Sequence, residues 1–142
     1  MRKIKIITMV LGTFFSVQAM AQNNEIGNIE KAIMVFAKAG DASDAKQLDQ
    51  CLDDNYRVVM NQMFGSKEVS VMNKEVYLEK IRTKVFGGDQ RKVNIEQVLV
   101  NGNTACAKVR FEGTKMTFVS ILHLVQDEKG AWKLVSDTPI LG

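Results

Sequence analysis

The chain of 142 residues is poor in the residues most chemistry depends on: it has one histidine, one tryptophan, one proline and two cysteines. With His123 as the single imidazole and no Cys/His cluster around it, the ligand set of a metal site is missing, and no metal is expected. There is no Gly-rich phosphate loop, no Ser/His/Asp ordering and no pair of carboxylates at an informative spacing, so no cofactor is expected. A long hydrophobic run is also lacking. The longest apolar stretch, Ile6–Val17, falls short of the roughly 20 residues that span a bilayer. A surplus of charge is present only in appearance. The formal charge is +3, but Arg2, Lys3 and Lys5 lie in the first five residues, and setting them aside leaves 16 basic against 16 acidic residues. Long-range attraction to phosphate has no source in that remainder, which argues against a nucleic-acid partner.

What is present begins with Met1–Ala21. Basic residues, an apolar run and Ala19-Met20-Ala21 follow one another in the order of a secretory signal, predicting cleavage before Gln22 and a periplasmic or secreted protein with no membrane attachment after cleavage. No cysteine follows the cleavage point, so a lipoprotein anchor has no support. Residues 22–142 are enough for one domain and too few for two. Whether Cys51 and Cys106 join in a disulfide or stay apart as thiols is open at this stage, because spacing does not report the distance between their Cα atoms.

Ile29, Ala32, Ile33, Phe36 and Ala37 repeat at the spacing of one helix face, after a polar start at 22–26. Gly40 stops this helix, and Asp41 or Ser43 can cap a second, which runs to about Asp53 with Ala45, Leu48 and Leu52 inward. Tyr56–Met60 favours a strand, and Val69 and Val71 a short return strand. Asn73 is a suitable N-cap for a third helix carrying Tyr77, Ile81 and Val85, with Gly87-Gly88 after it.

From Arg91 to Ile140 four apolar-rich runs are separated by turns, predicting an antiparallel meander. In Lys92–Val100 simple alternation puts Val93, Ile95, Gln97 and Leu99 on one side. Asn101-Gly102 suits a tight hairpin because both central positions take positive φ. Thr104–Glu112 separates Ala105, Ala107, Val109 and Phe111 from Cys106, Lys108 and Arg110. Met116–Gln126 is apolar on both faces, and Trp132–Ser136 forms the last strand. His123 shares the phase of Val119 and Ile121, opposite Phe118, Ser120 and Leu122; Lys108 and Arg110 read as a solvated row.

Two segments carry a family likeness: FAKAGDASDAKQLDQCLDDNYRVV (Phe36–Val59) and GAWKLVSD (Gly130–Asp137). They resemble the NTF2-like (SnoaL-like) superfamily, and RKVNIEQVLVNGNTACAKVRFE in between is similar to its lumazine-binding branch. The resemblance implies an α+β fold, a cone in which a curved antiparallel sheet wraps around N-terminal helices and leaves a pocket at the open end. It implies a small apolar or aromatic ligand, with Tyr56, Met60, Phe64, Phe118, Ser120, Leu122 and Trp132 as candidate lining residues, and a homodimer. Enzymatic members place an ionisable base on the first strand, where this chain has Val58-Val59-Met60. A non-catalytic binding protein is therefore the expectation. The alternatives are an isomerase, cyclase or dehydratase type of enzyme using His123, and a purely structural dimerisation module.

Overall fold

The structure, a computed structural model, describes residues 11–142. Its first element, α1 (Leu11–Asp41), is one unbroken helix. The first ten residues of the expected signal lie outside the described residues, and the expected cleavage point before Gln22 falls inside α1. The stretch 22–26, expected to be frayed, is helical. Its reason is tertiary: Glu25 accepts hydrogen bonds from Trp132 Nε1 at 2.9 Å and Gln126 Nε2 at 3.1 Å, anchoring this part of α1 to the sheet. Glu25→Ala should leave the indole N–H of the buried Trp132 without its partner. We expect a loss of about 2 kcal/mol in urea denaturation; an unchanged midpoint would show that the anchor contributes nothing.

The short α2 (Ala45–Cys51) is capped by Asp44, whose carboxylate accepts from Gln47 N at 2.9 Å. The cap is neither Asp41 nor Ser43: Ser43 takes φ 53° in the turn, and Asp41 is drawn off to Arg91. Leu52, expected on this helix, is instead the first residue of β1 (Leu52–Asn61). A hairpin leads to β2 (Val69–Asn73) and then α3 (Lys74–Arg82), whose N-cap Asn73 accepts from Val76 N at 3.0 Å. This helix ends before Val85, which is exposed. The meander follows as β3 (Lys92–Asn101), β4 (Thr104–Glu112), β5 (Thr117–Gln126) and β6 (Trp132–Leu141).

The strand order is β2-β1-β6-β5-β4-β3. All neighbours are antiparallel except β1 and β6, which run parallel, so the sheet is mixed where an antiparallel one was expected. The helices lie on its inner face. Ile29 and Ile33 of α1, Leu48 of α2 and Ile81 of α3 meet Val109, Leu122, Leu124 and Leu134 in one core.

Bulges in β3 and β6 decide which side chains of those strands face that core. In β3, Ile95 pairs with Val109 and Gln97 with Lys108, so Glu96 is an extra residue. The phase flips there: Val93, Ile95, Val98 and Val100 pack inward, while Leu99 is 65% exposed. The expected grouping of Gln97 and Leu99 with Val93 is corrected accordingly. The displaced Glu96 sits on the outer face, its carboxylate 2.8 Å from Lys108 Nζ and 3.4 Å from Arg110 Nε. In β6, Leu134 pairs with Leu124 and Ser136 with His123, making Val135 extra. Beyond it the inward residues are Asp137, Pro139 and Leu141, paired with the inward Leu122, Ser120 and Phe118. The last strand also runs past Ser136, where the sequence reading ended it.

Candidate functional site

Among the described residues, Asp137 is the one carboxylate that the sheet turns toward the core. It occupies a row formed by Met72, Val58, Asp137, Leu122 and Ala107 across β2, β1, β6, β5 and β4. Simple alternation from Trp132 would have directed Ser136 inward; the bulge at Val135 puts Asp137 there instead. The residue keeps some exposed surface, but its Oδ1 is sealed from solvent and has no hydrogen-bond partner. Burial pushes its pKa from 3.8 up to about 6, against the opposing pull of the nearby Ser120 hydroxyl and the positive charge of Arg91.

Tyr56, on β1 two residues before Val58, is almost wholly buried, and its hydroxyl is likewise without a partner. Its ring centroid is 5.3 Å from that of Tyr77 on α3, at 60°, and Tyr77 in turn lies 6.3 Å from Phe86. Burial pushes both phenols well above their ordinary range, with the neighbouring Asp137 adding to the effect. Two unpaired polar atoms, a phenol donor and a carboxyl oxygen, thus share a largely apolar interior. An unsatisfied buried polar group costs about 1–3 kcal/mol, and such a group calls for a specific explanation.

Arg91 supplies a positive charge that acts on Asp137 and Tyr77. Its Nε bonds Asp41 Oδ1 at 2.5 Å, its backbone N bonds Asp41 Oδ2 at 3.1 Å, and its Nη2 bonds Ala37 O at 3.0 Å. The guanidinium carbon stands 4.9 Å above the Phe111 ring. These contacts tie the end of α1 to the start of β3. The adjoining segment is fastened a second time: Asp89 accepts from Thr114 N at 3.1 Å, Thr114 Oγ1 at 2.5 Å and Lys115 N at 3.0 Å.

The expected lining residues separate into three groups. Tyr56, Ser120 and Leu122 are buried on the inner face around Asp137, and Phe118 and Met60 are half-buried on the same face. Trp132 is also inward but at the far end of the sheet, bonded to Glu25. Phe64 stands outside, 61% exposed, in the loop after β1 with φ 53°. His123 is exposed on the outer face opposite Cys106, with its Nδ1 3.0 Å from Ser136 Oγ. Cys51 and Cys106 are free thiols. A depression of about 370 Å³ lies between α1, α2 and the β5–β6 turn, beside Lys31, Cys51 and Trp132. Another of about 260 Å³ lies on the outer face beside Leu99, Cys106, His123 and Val135. Neither opens on Tyr56 or Asp137. Among the described residues no group of three or more His, Cys, Asp and Glu is placed to hold a metal, and no helix is long and apolar enough to cross a membrane.

Sequence reasoning missed Asp137 and Tyr77. Tyr77 entered only as part of the helical stripe with Ile81 and Val85, and Asp137 lay one residue beyond the expected end of the last strand.

Residues 24–138 match a protein family described as "Putative lumazine-binding". The chain belongs to this family. Its fold is NTF2-like. An NTF2-like protein from Silicibacter pomeroyi superposes with a TM-score of 0.73 at 16% identity, covering 85% of this chain and 98% of that one. One from Shewanella baltica gives 0.72 at 16%, covering 84% and 94%. A ketosteroid isomerase-like protein from Erwinia carotovora atroseptica gives 0.66 at 14%, covering 84% and 97%. At these identities the likeness concerns the fold alone. The search of curated proteins found no match.

Proposed function

We propose that this lumazine-binding family member is an exported protein that holds a small, mainly apolar or aromatic molecule inside its cone, without catalysis. The observation that carries the reading is the pair of unpaired buried atoms, Tyr56 Oη and Asp137 Oδ1. A ligand with one polar edge would satisfy both, while Met60, Phe118, Leu122 and Tyr77 would surround its apolar part. Admission requires the half-buried side chains at this end to shift. A crystal structure of protein purified from its native compartment tests the reading, with density expected against Tyr56 and Asp137. Density confined to ordered water there would remove the ligand.

Export rests on the sequence of Met1–Ala21. A chain beginning at Gln22 would keep the Glu25 anchor to Trp132 and would carry that acidic side chain in its first helical turn, where it favours the helix dipole.

The outer face supports self-association. Val59, Val71, Ile121, Val119 and Ile140 form apolar positions there around Thr138, with Val71 and Ile140 more than half exposed. We expect light scattering to show a dimer, and Ile121→Asp to shift it to a monomer. A wild-type monomer would defeat this part.

A proton-transferring enzyme is the second reading. Asp137, with a pKa near 6, favours it. His123 does not, since it faces the opposite side of the sheet.

A further inference from the structure

The bulges of β3 and β6 meet on the outer face of the sheet. The extra Glu96 turns Leu99 outward, opposite Cys106, and the extra Val135 turns Ser136 outward, opposite His123. Cys106 and His123 are themselves register partners. Leu99, Cys106, His123 and Ser136 therefore form one row across β3, β4, β5 and β6. Leu99, Val125 and Val135 frame the depression of about 260 Å³ that Cys106 and His123 also line. It lies toward the β3–β4 turn, beyond the apolar positions assigned above to self-association.

The row places a nucleophile, a base and an orienting group in that order. Cys106 is a free thiol and half-buried. Directly opposed residues of an antiparallel pair hold their Cβ atoms about 5 Å apart, so side-chain rotation brings the imidazole to the thiol. His123 Nδ1 is 3.0 Å from Ser136 Oγ. With Nδ1–H donating to that oxygen, Nε2 keeps the lone pair that takes a proton. A thiol beside a base that a third group orients is an activated nucleophile. Cys51 supplies the contrast within one chain. It is also a half-buried free thiol, but it lies in the other depression, away from the only histidine.

We infer that Cys106 is a thiol–disulfide exchange site for small uncharged disulfides with an apolar body, with His123 as its base. His123 takes the thiol proton, and the Cys106 sulfur attacks one sulfur of the disulfide. The S–S bond breaks, a mixed disulfide forms on Cys106, and the departing sulfur leaves reduced and takes the proton back. The probe is 2,2′-dithiodipyridine at pH 7 against the full chain, with the rates at Cys106 and Cys51 read separately by peptide mass mapping. Cys106 should react at least tenfold faster than Cys51. His123→Gln should slow Cys106 at least tenfold and leave Cys51 unchanged, which also reports that the fold is intact. Ser136→Ala should slow Cys106 severalfold, and Ser136→Thr, which keeps the hydroxyl, should restore it. With oxidised glutathione, which is charged and polar, the preference for Cys106 over Cys51 should shrink at least threefold. Cys106 reacting no faster than Cys51, or at an unchanged rate in His123→Gln, would overturn the site. An undiminished preference with oxidised glutathione would overturn the apolar class, and an unchanged Ser136→Ala rate would overturn the role of Ser136.

Discussion

Asp137→Asn should stabilise the protein by about 3 kcal/mol at pH 8 and by almost nothing at pH 4. The sign follows from the carboxyl's environment. Its pKa is raised from 3.8 to about 6 in the folded state, so between those values the fold retains a proton that the unfolded chain has released. Stability contributed by this group is complete below pH 3.8, falls as pH rises, and the deficit is full above about 6. A displacement of that size corresponds to about 3 kcal/mol. Asparagine is neutral at every pH and keeps the shape, so the penalty disappears with the charge. The comparison of variant with wild type matters because Asp89, Glu96 and Asp127 titrate in the opposite sense. Hydrogen bonds from Thr114, Lys108 and the Ala131 backbone respectively hold them below the ordinary carboxylate range, so they favour the fold at neutral pH and lose that contribution in acid. Urea denaturation at pH 4 and pH 8 measures the effect. A variant that is equally destabilised at both pH values would show that the Asp137 carboxylate is well accommodated as an ion. A group kept at such a cost is characteristic of a site with a use for it.

Arg91→Ala should destabilise by about 3 kcal/mol, the range for breaking a largely buried ion pair from one side. The arginine and Asp41 side chains are only 20% and 16% exposed, so water does not replace the lost partner well. The variant also loses the stacking on Phe111 and the bond to Ala37 O. Because the guanidinium lowers the Asp137 pKa, its removal should move that titration upward, which NMR of the Asp137 carboxyl carbon reads directly. The double variant Asp41→Ala/Arg91→Ala should lose less than the sum of the two single ones. Additive losses and an unmoved Asp137 titration would mean that Arg91 acts neither through Asp41 nor on the cone.

Elements with a local cause were legible. The β3–β4 hairpin, the Asn73 cap and the division of β4 into Ala105/Ala107/Val109/Phe111 and Cys106/Lys108/Arg110 each follow from residues within a few positions of one another, although the turn is centred on Gly102-Asn103 rather than Asn101-Gly102 and only Gly102 takes positive φ. Helix bounds set by distant contacts were not. The stretch around Glu25 is polar and locally weak, and what orders it is an indole 107 residues away in sequence. The same holds for α2, where Asp41 was taken from its capping role by Arg91, 50 residues along the chain.

The candidate site shows the sharper limit. Along β5 period-two alternation placed Ser120 and Leu122 in one phase and His123 in the other, and the structure keeps that division. The same rule failed after Val135 and after Glu96, since a bulge inserts one residue and reverses every side chain beyond it. The order of elements, the family and the polarity of each strand were determined by the sequence itself, because they depend on composition and spacing. The parallel pairing of β1 with β6, the two phase reversals and the burial of Asp137 beside Tyr56 were decided only in the tertiary structure. A bulge is a compromise between neighbouring strands, and no single strand's sequence records it.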